Sequence, residues 1–158
     1  MSKALSIVLS LIFIGCMEQK RSMKETDLQE INELTGQFFN LFTNTDGATL
    51  ELNEIRNIFI KEGMIISNTT GKPLIYDLEG FIKPREAMLT DGTLVDFSES
   101  EISHETQISG NIAQRFSRYQ KSGKLNGEYF EAEGMKTIQF VKVDGHWKMS
   151  SVAWSDKP

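Results

Sequence analysis

Apolar residues recur at helical spacing in the first third of the chain. Thr26-x-x-Gln29 is a capping-box pattern, which is typical of a helix N-terminus. Behind it, apolar residues three or four positions apart form one stripe: Leu28, Ile31, Leu34, Phe38, Leu41 and Phe42. This spacing predicts a long amphipathic helix from about Asp27 to Phe42. The polar residues 43–47 end it, and the apolar positions between Leu50 and Ile60 predict a second, shorter helix.

The pattern changes to β-prone runs after Gly63. Two short strands are predicted, at Met64–Ser67 and Leu74–Tyr76. Pro84 is expected in the first turn of a short helix that runs through Leu89, because the N–H that proline lacks is unpaired there anyway. Four longer β-prone segments follow, separated by turns that contain glycine: Thr93 to Ile108, Asn111 to Gln120, Glu128 to Val143 and His146 to Ser155.

Asp144-Gly145 is the strongest local signal, because Asp-Gly between two β-prone runs favours a two-residue hairpin with a primed turn. The turn predicts three cross-strand pairs: Val143–His146, Phe140–Met149 and Ile138–Ser151. One face of the hairpin is then apolar and is expected to pack against the helices: Ile138, Phe140, Trp147, Met149 and Ala153. The other face is mixed, and its residues Val141, Val152 and Trp154 form an apolar stripe that we interpret as a partner surface.

Composition and charge describe an ordinary globular chain. The 158 residues suit one domain, and 39% hydrophobic with 25% charged residues is close to average usage. The formal charge is −5, and Lys and Arg are scattered among Asp and Glu. Binding to a nucleic-acid backbone needs clustered basic residues, so the sequence argues against nucleic acid as a partner.

The N-terminus has the make-up of an export signal. Lys3 precedes an apolar run over residues 4–15, which is too short for a comfortable membrane span of about 20 residues. Cys16, the one cysteine of the chain, follows directly, so no intrachain disulfide can form. Phe13-Ile14-Gly15-Cys16 resembles the lipobox of bacterial lipoproteins, although the family usually has Leu where Phe13 stands.

The lipobox resemblance implies cleavage before Cys16, acylation of its thiol, and a lipid-anchored protein of the bacterial cell envelope that faces away from the cytoplasm. The alternatives are an uncleaved anchor or a plain signal peptide with an incidental cysteine. We therefore divide the chain into a signal peptide (1–15), a polar tether (16–25) and one domain (26–158).

The order of helices followed by a long antiparallel sheet resembles the cone-shaped α+β fold shared by nuclear transport factor 2, ketosteroid isomerase and the SnoaL-like polyketide cyclases. The segment from Lys136 to Asp156 looks like the terminal hairpin of the SnoaL-like group, and Phe81 to Leu89 resembles its third helix. The likeness covers about Asp27 to Asp156. It implies a curved sheet around the N-terminal helix, a pocket for small, largely apolar molecules, and a homodimer packed through the outer sheet face.

Fold alone does not choose a function, so polar residues inside apolar segments are the candidates for chemistry. Asp96 and His104 are candidates for a catalytic base, because a strand residue that faces the cone could gain a shifted pKa by desolvation. Both could equally face water or be satisfied strand residues. Tyr76 and Tyr119 are candidates for ligand contact. None of them matches a catalytic motif of the resembling families.

Metal and phosphate chemistry find little support in the sequence. Two distant histidines and one cysteine do not make a zinc site, and no glycine-rich phosphate loop is present. Three strand glutamates, Glu99, Glu101 and Glu105, lack the spacing of a calcium loop and are interpreted as a solvated face. We therefore expect no cofactor.

Three kinds of function stay open. The first is non-enzymatic binding of a small apolar ligand or a protein partner, which the lack of an acid–base constellation favours. The second is a SnoaL-like isomerase or dehydratase with Asp96 or His104 as base. A filled cone that serves only as an interaction module is a third possibility.

Overall fold

The computed structural model describes residues 24–45 and 50–157, so Cys16, the predicted signal peptide and most of the tether lie outside the described residues. Helix α1 covers residues 24–40, a 3-10 turn at Leu52–Glu54 leads into the short α2 (Ile55–Ile58), and α3 is Leu78–Thr90. The six described strands, numbered in chain order, are β1 (Phe59–Ser67), β2 (Leu74–Tyr76), β3 (Leu94–Ser109), β4 (Ile112–Leu125), β5 (Glu128–Val143) and β6 (His146–Asp156). In these ranges, no helix has the length and hydropathy of a membrane span.

The strands form one sheet in the order β2-β1-β6-β5-β4-β3. Consecutive strands pair antiparallel from β3 to β6, but β1 lies parallel to β6, with Ile65 opposite Val152. The curved sheet of the expected α+β cone is confirmed, and it is mixed rather than wholly antiparallel because β1 and β6 pair in parallel. Local turns fix the direction of hairpin strands, whereas β1 and β6 are far apart in the sequence and no turn sets their relative direction.

Bulges give the sheet its curvature. Strand β3 contains an extra residue near Asp96 and Phe97, opposite Gly123, and another at Ile102. Strand β6 contains one at Ser150. Each extra residue bends its strand and increases the local twist. The concave face holds helix α1, which buries an apolar stripe that includes Ile31 and Phe38.

The terminal hairpin confirms the predicted turn but not the whole predicted register. Asp144 (φ 51°) and Gly145 (φ 86°) form the two-residue turn, and both have the positive φ of a type I′ turn. Val143–His146 and Phe140–Met149 pair as predicted. Beyond them the bulge at Ser150 shifts the pairing by one residue, so Ile138 faces Val152 rather than Ser151.

The shift exchanges the two faces of the end of β6. Val152 is fully buried and Trp154 is only 9% exposed, both within the hydrophobic core, whereas Ala153 is half-buried on the other side. The predicted outward orientation of Val152 and Trp154 is therefore wrong. Val141 lies before the bulge and stays on the outer face, half-buried.

Two predictions about helix ends are also wrong. Residues 24 and 25 are already helical, so the helix takes the last residues of the predicted tether and Thr26 is not its N-cap. Helix α3 begins at Leu78, where Asp77 accepts a hydrogen bond from the Gly80 N–H at 2.7 Å, and Pro84 lies in its interior.

Packing explains how α3 accommodates the proline. A proline within a helix costs about 3 kcal/mol. Four α3 side chains are buried: Leu78, Phe81, Ile82 and Leu89. Since full burial of one such side chain contributes about 1.5–3 kcal/mol, the helix gains more than the proline costs.

Candidate ligand-binding cavity

A cavity of about 230 Å³ lies between helices α1 and α3 and the concave face of the sheet. Six aromatic side chains form much of its wall: Phe38, Phe42, Phe81, Phe97, Phe130 and Trp154. Phe42 and Trp154 both meet the Phe81 ring edge to face, with ring centroids 5.8 and 6.1 Å apart. Such contacts fix the rings, so the cavity has a firm apolar wall.

The bulges supply two of these rings. Trp154 turns inward because of the extra residue at Ser150, and Phe97 follows the left-handed residue Asp96, whose φ is 55°. Phe97 is further held by Asn44, whose side-chain oxygen accepts a hydrogen bond from the Phe97 N–H at 2.6 Å. The cavity therefore depends on local irregularities of the strands, which hydrophobic alternation does not indicate.

A buried ion pair stands in the wall of the cavity. Lys136 Nζ lies 2.8 Å from a Glu99 carboxylate oxygen, and the two side chains are only 4% and 7% exposed. The ammonium group also lies 4.1 Å from the centroid of the Tyr119 ring and 4.9 Å from that of Trp154. Burial lowers the pKa of Lys136, and the charge of Glu99 and its hydrogen bond oppose that shift. Each charge of the pair balances the other, so this polar part of the cavity wall has no unpaired charge.

A second group of polar residues lies beside the first, and Lys121 of this group also lines the cavity. Tyr119 is fully buried and its hydroxyl donates a hydrogen bond to the Asp156 carboxylate, which also pairs with Lys121 Nζ at 2.8 Å. Burial raises the pKa of Tyr119, and the hydrogen bond to Asp156 raises it further. Tyr119 is therefore a neutral hydrogen-bond donor whose one proton is already committed to Asp156.

Arg85 differs from the other charged residues of the wall. It reaches the cavity from α3, with its guanidinium carbon 5.3 Å from the Phe81 ring centroid. Within the described residues, no carboxylate pairs with it and no hydrogen bond holds it. Burial lowers the pKa of Arg85, and electrostatic interactions with Tyr76 and Glu99 oppose that effect.

Of the three strand glutamates, Glu105 is exposed as predicted, whereas Glu99 and Glu101 do not lie on a solvated face. Glu99 pairs with Lys136, and Glu101 pairs with Arg115 at 2.5 Å, with the Arg115 side chain only 2% exposed. Arg115 also donates to Asn32 of α1 at 2.7 Å, so this second pair fastens the helix to the sheet. That interpretation was wrong for Glu99 and Glu101 because both come from strand positions that face inward. There Glu99 meets Lys136 of β5, and Glu101 meets Arg115 of β4. One sequence signal could have indicated these buried pairs: a basic residue among strand positions that face inward and are otherwise apolar, such as Lys136 before Ile138.

The predicted catalytic candidates lie outside the cavity. Asp96 pairs with Lys124 at 2.8 Å, and its side chain is 58% exposed. His104 lies on the edge strand β3, with its Nδ1 3.1 Å from a Glu101 oxygen and its side chain 39% exposed. Neither lines the cavity, so neither can act as a base on a molecule bound there. Glu99 is the carboxylate that faces the cavity.

The two tyrosine candidates lie next to the cavity rather than in its wall. Tyr76 packs its ring on Phe81 with centroids 5.9 Å apart, and Tyr119 lies behind Lys136. They position the residues that do line it. As for metals, the described part of the chain contains no group of three or more His, Cys, Asp or Glu side chains placed to hold an ion.

The outer sheet face carries a different apolar surface from the predicted one. Of the predicted interface residues, only Val141 lies there. Ile112, Phe116 and Met135 are 61%, 48% and 40% exposed, and Ile112 pairs directly with Val141. Homodimerisation through this face stays a prediction, with Phe116 rather than Trp154 as its aromatic residue.

At the level of sequence, no protein-family model and no curated protein matches the chain. Solved structures do match its fold. A protein of Kribbella flavida has a TM-score of 0.69 and 19% identity over 85% of this chain and 93% of its own. A nuclear transport factor 2-like superfamily protein of Salmonella enterica has a TM-score of 0.69 and 14% identity, over 85% and 94%.

A third structure, from Novosphingobium aromaticivorans, carries a provisional scytalone dehydratase name. It has a TM-score of 0.68 and 14% identity over 87% of this chain and 89% of its own. Identities this low establish the architecture only. The six-stranded curved sheet, the helices against its concave face and these neighbours together identify the chain's fold as the α+β cone of nuclear transport factor 2-like proteins.

Proposed function

We propose that the domain binds a small, largely apolar molecule in the cavity between α1, α3 and the sheet. The observation that carries the proposal is a wall of six aromatic rings around a space of about 230 Å³. An engineered apolar cavity of about 150 Å³ holds benzene. The larger cavity here suits a molecule of one ring with a short substituent.

Binding without catalysis is the reading that the polar groups support. A general base must be free to take a proton from the bound molecule. Glu99 is paired with Lys136, and Tyr119 has its proton committed to Asp156. Neither is free to exchange a proton with a ligand in the cavity unless its existing contact breaks.

A second candidate is acid–base catalysis at the same cavity, of the kind the name of the Novosphingobium protein suggests. Its support is that Glu99 faces the cavity beside a lysine whose pKa burial lowers, and shifted ionisable groups in clefts are common at active sites. Assays of the unsubstituted chain with any ligand that binds separate the two: turnover of the bound molecule would favour catalysis, and binding without turnover would favour a binding protein.

Thermal unfolding of the full-length chain with a panel of one-ring ligands tests the binding proposal. A ligand at 100 times its Kd stabilises a protein by about 2.7 kcal/mol, which corresponds to a Tm increase of about 5–10 °C for a domain of this size. Met88→Trp would fill the cavity and abolish the shift, because Met88 lines it. Ala87→Trp is the matched control, since Ala87 is exposed on the same helix. A shift of equal size in Met88→Trp would contradict binding in this cavity.

We also propose that the domain is held at the membrane of a bacterial cell envelope through a lipid on Cys16, facing away from the cytoplasm. The lipobox-like residues at the end of the apolar N-terminal run support this proposal. The acidic net charge of −5 agrees with a protein that does not bind nucleic acid.

A further inference from the structure

The charged groups of the cavity wall leave one positive charge uncompensated among the described residues. Lys136 pairs with Glu99, and Lys121 pairs with Asp156. Arg85 lines the same cavity without a carboxylate partner, although it is half-buried. A partly buried cation without a counter-ion is unfavourable, and an anion that enters the cavity would relieve that cost.

We propose that the ligand of this cavity is an apolar carboxylate, with its ring or chain among the aromatic residues and its carboxylate group on Arg85. This inference rests on the proposed binding function and names the class of ligand. The guanidinium group offers parallel N–H donors that match the two oxygens of a carboxylate. The Phe81 ring lies against Arg85, 5.3 Å from its guanidinium carbon, and limits the orientations of that group.

Charge and size favour a carboxylate over other charged groups. A single unpaired guanidinium balances one negative charge, whereas a phosphate monoester carries up to two. An amine would face an unpaired cation, since the cavity's carboxylate, Glu99, already pairs with Lys136 at 2.8 Å. The space of about 230 Å³ accommodates one ring, a short linker and a carboxylate.

Calorimetric titration of the full-length chain with three matched ligands tests the inference. The ligands are hydrocinnamate, the alcohol with the same ring and carbon skeleton, and the corresponding amine. A hydrogen-bonded charge pair is expected to make the carboxylate bind about 10- to 100-fold more tightly than the alcohol. The amine is expected to bind most weakly.

Two variants assign the preference to one residue. Arg85→Gln is expected to reduce hydrocinnamate affinity to that of the alcohol while leaving the alcohol's affinity unchanged. Lys83→Gln is the matched control, because it removes the same charge from an exposed position of α3 and is expected to change neither affinity. The comparison of ligands on the unsubstituted chain stands even where Arg85→Gln does not fold.

The outcomes separate this inference from the proposed function. Equal binding of carboxylate and alcohol, or tightest binding of the amine, would overturn the anion inference and leave the apolar site in place. A carboxylate preference that survives in a folded Arg85→Gln variant would overturn the role of Arg85. If hydrocinnamate, the alcohol and the amine all fail to bind, and benzoate and phenylacetate also fail, both the anion inference and the proposed binding function would be overturned.

Discussion

Breaking the Glu99–Lys136 pair from one side should destabilise the domain far more than removing both charges. In Glu99→Gln, the Lys136 ammonium stays at 4% exposure among aromatic rings and loses its counter-ion. Removal of one partner from a buried pair costs about 3–5 kcal/mol, because the remaining charge is uncompensated. For a domain of about this size, that free energy lowers Tm by about 6–20 °C.

The double variant Glu99→Leu/Lys136→Met distinguishes a lost charge partner from lost packing. Replacing a buried ion pair by apolar residues of similar volume is often neutral or stabilising. We therefore expect the double variant to regain most of the stability lost in Glu99→Gln, as measured by urea unfolding with matched slopes. The exposed pair Asp96–Lys124 is the control: it has the same 2.8 Å separation but side chains 58% and 49% exposed, and Asp96→Asn should change the midpoint much less.

The pH dependence gives a second measurement of the same effect. Burial places the folded-state pKa of Lys136 below its ordinary value of 10.5, so the unfolded chain binds more protons between those two values. The free energy of unfolding should therefore rise with pH in that window. Glu99→Gln removes a charge that holds this pKa up, so the rise should begin at lower pH. A Glu99→Gln variant that matches the unsubstituted chain in stability and pH profile would refute the reasoning.

Three further outcomes are expected. Cys16→Ser should abolish incorporation of a labelled fatty acid in a bacterial host without unfolding the domain, and retained label would contradict the lipobox interpretation. If the outer sheet face forms a homodimer, light scattering should give twice the chain mass, and Phe116→Glu should yield folded monomers. Trp154→Glu should instead unfold the domain, because Trp154 is only 9% exposed. A monomer mass at micromolar concentration would exclude the dimer. Gly134→Ala should cost about 1–3 kcal/mol of unfolding free energy, because its Cβ would lie 2.5 Å from the Tyr119 hydroxyl oxygen. Gly36→Ala is the control and should cost nothing, because a Cβ there meets open space. Equal stability of the two variants would contradict the packing argument.

Local signals in the sequence predicted local structure well. The Asp144-Gly145 turn and the register of the first residue pairs beside it follow from backbone preferences of two residues, which act over a short range. The α+β class and the stripe that α1 buries follow from periodicity. Ser150 carries no comparable signal, since a bulge arises from how one strand fits its neighbours, and the orientation of Trp154 depends on it.

The cavity was the part least accessible to sequence reasoning. Glu99 and Lys136 are 37 positions apart and meet because β3, β4 and β5 pair in one specific register. Arg85 joins them from a helix that continues through Pro84 against the usual expectation. The sequence therefore shows that the chain contains these charged residues, but it does not show that Glu99, Lys136 and Arg85 lie close together in the folded protein.

The position of the last strand has a consequence for how the chain folds. Strand β6 lies in the middle of the sheet, between β1 and β5, although it is the last element in the sequence. Until β6 is present, β1 and β2 share no hydrogen bonds with β3, β4 and β5, and the pairing of Ile65 with Val152 requires closure of a very long loop. Such long-range pairing slows folding to the range of milliseconds to seconds. We expect the domain to stay unfolded until β6 (His146–Asp156) has been synthesised, so deletion of this strand would abolish the whole domain rather than trim it.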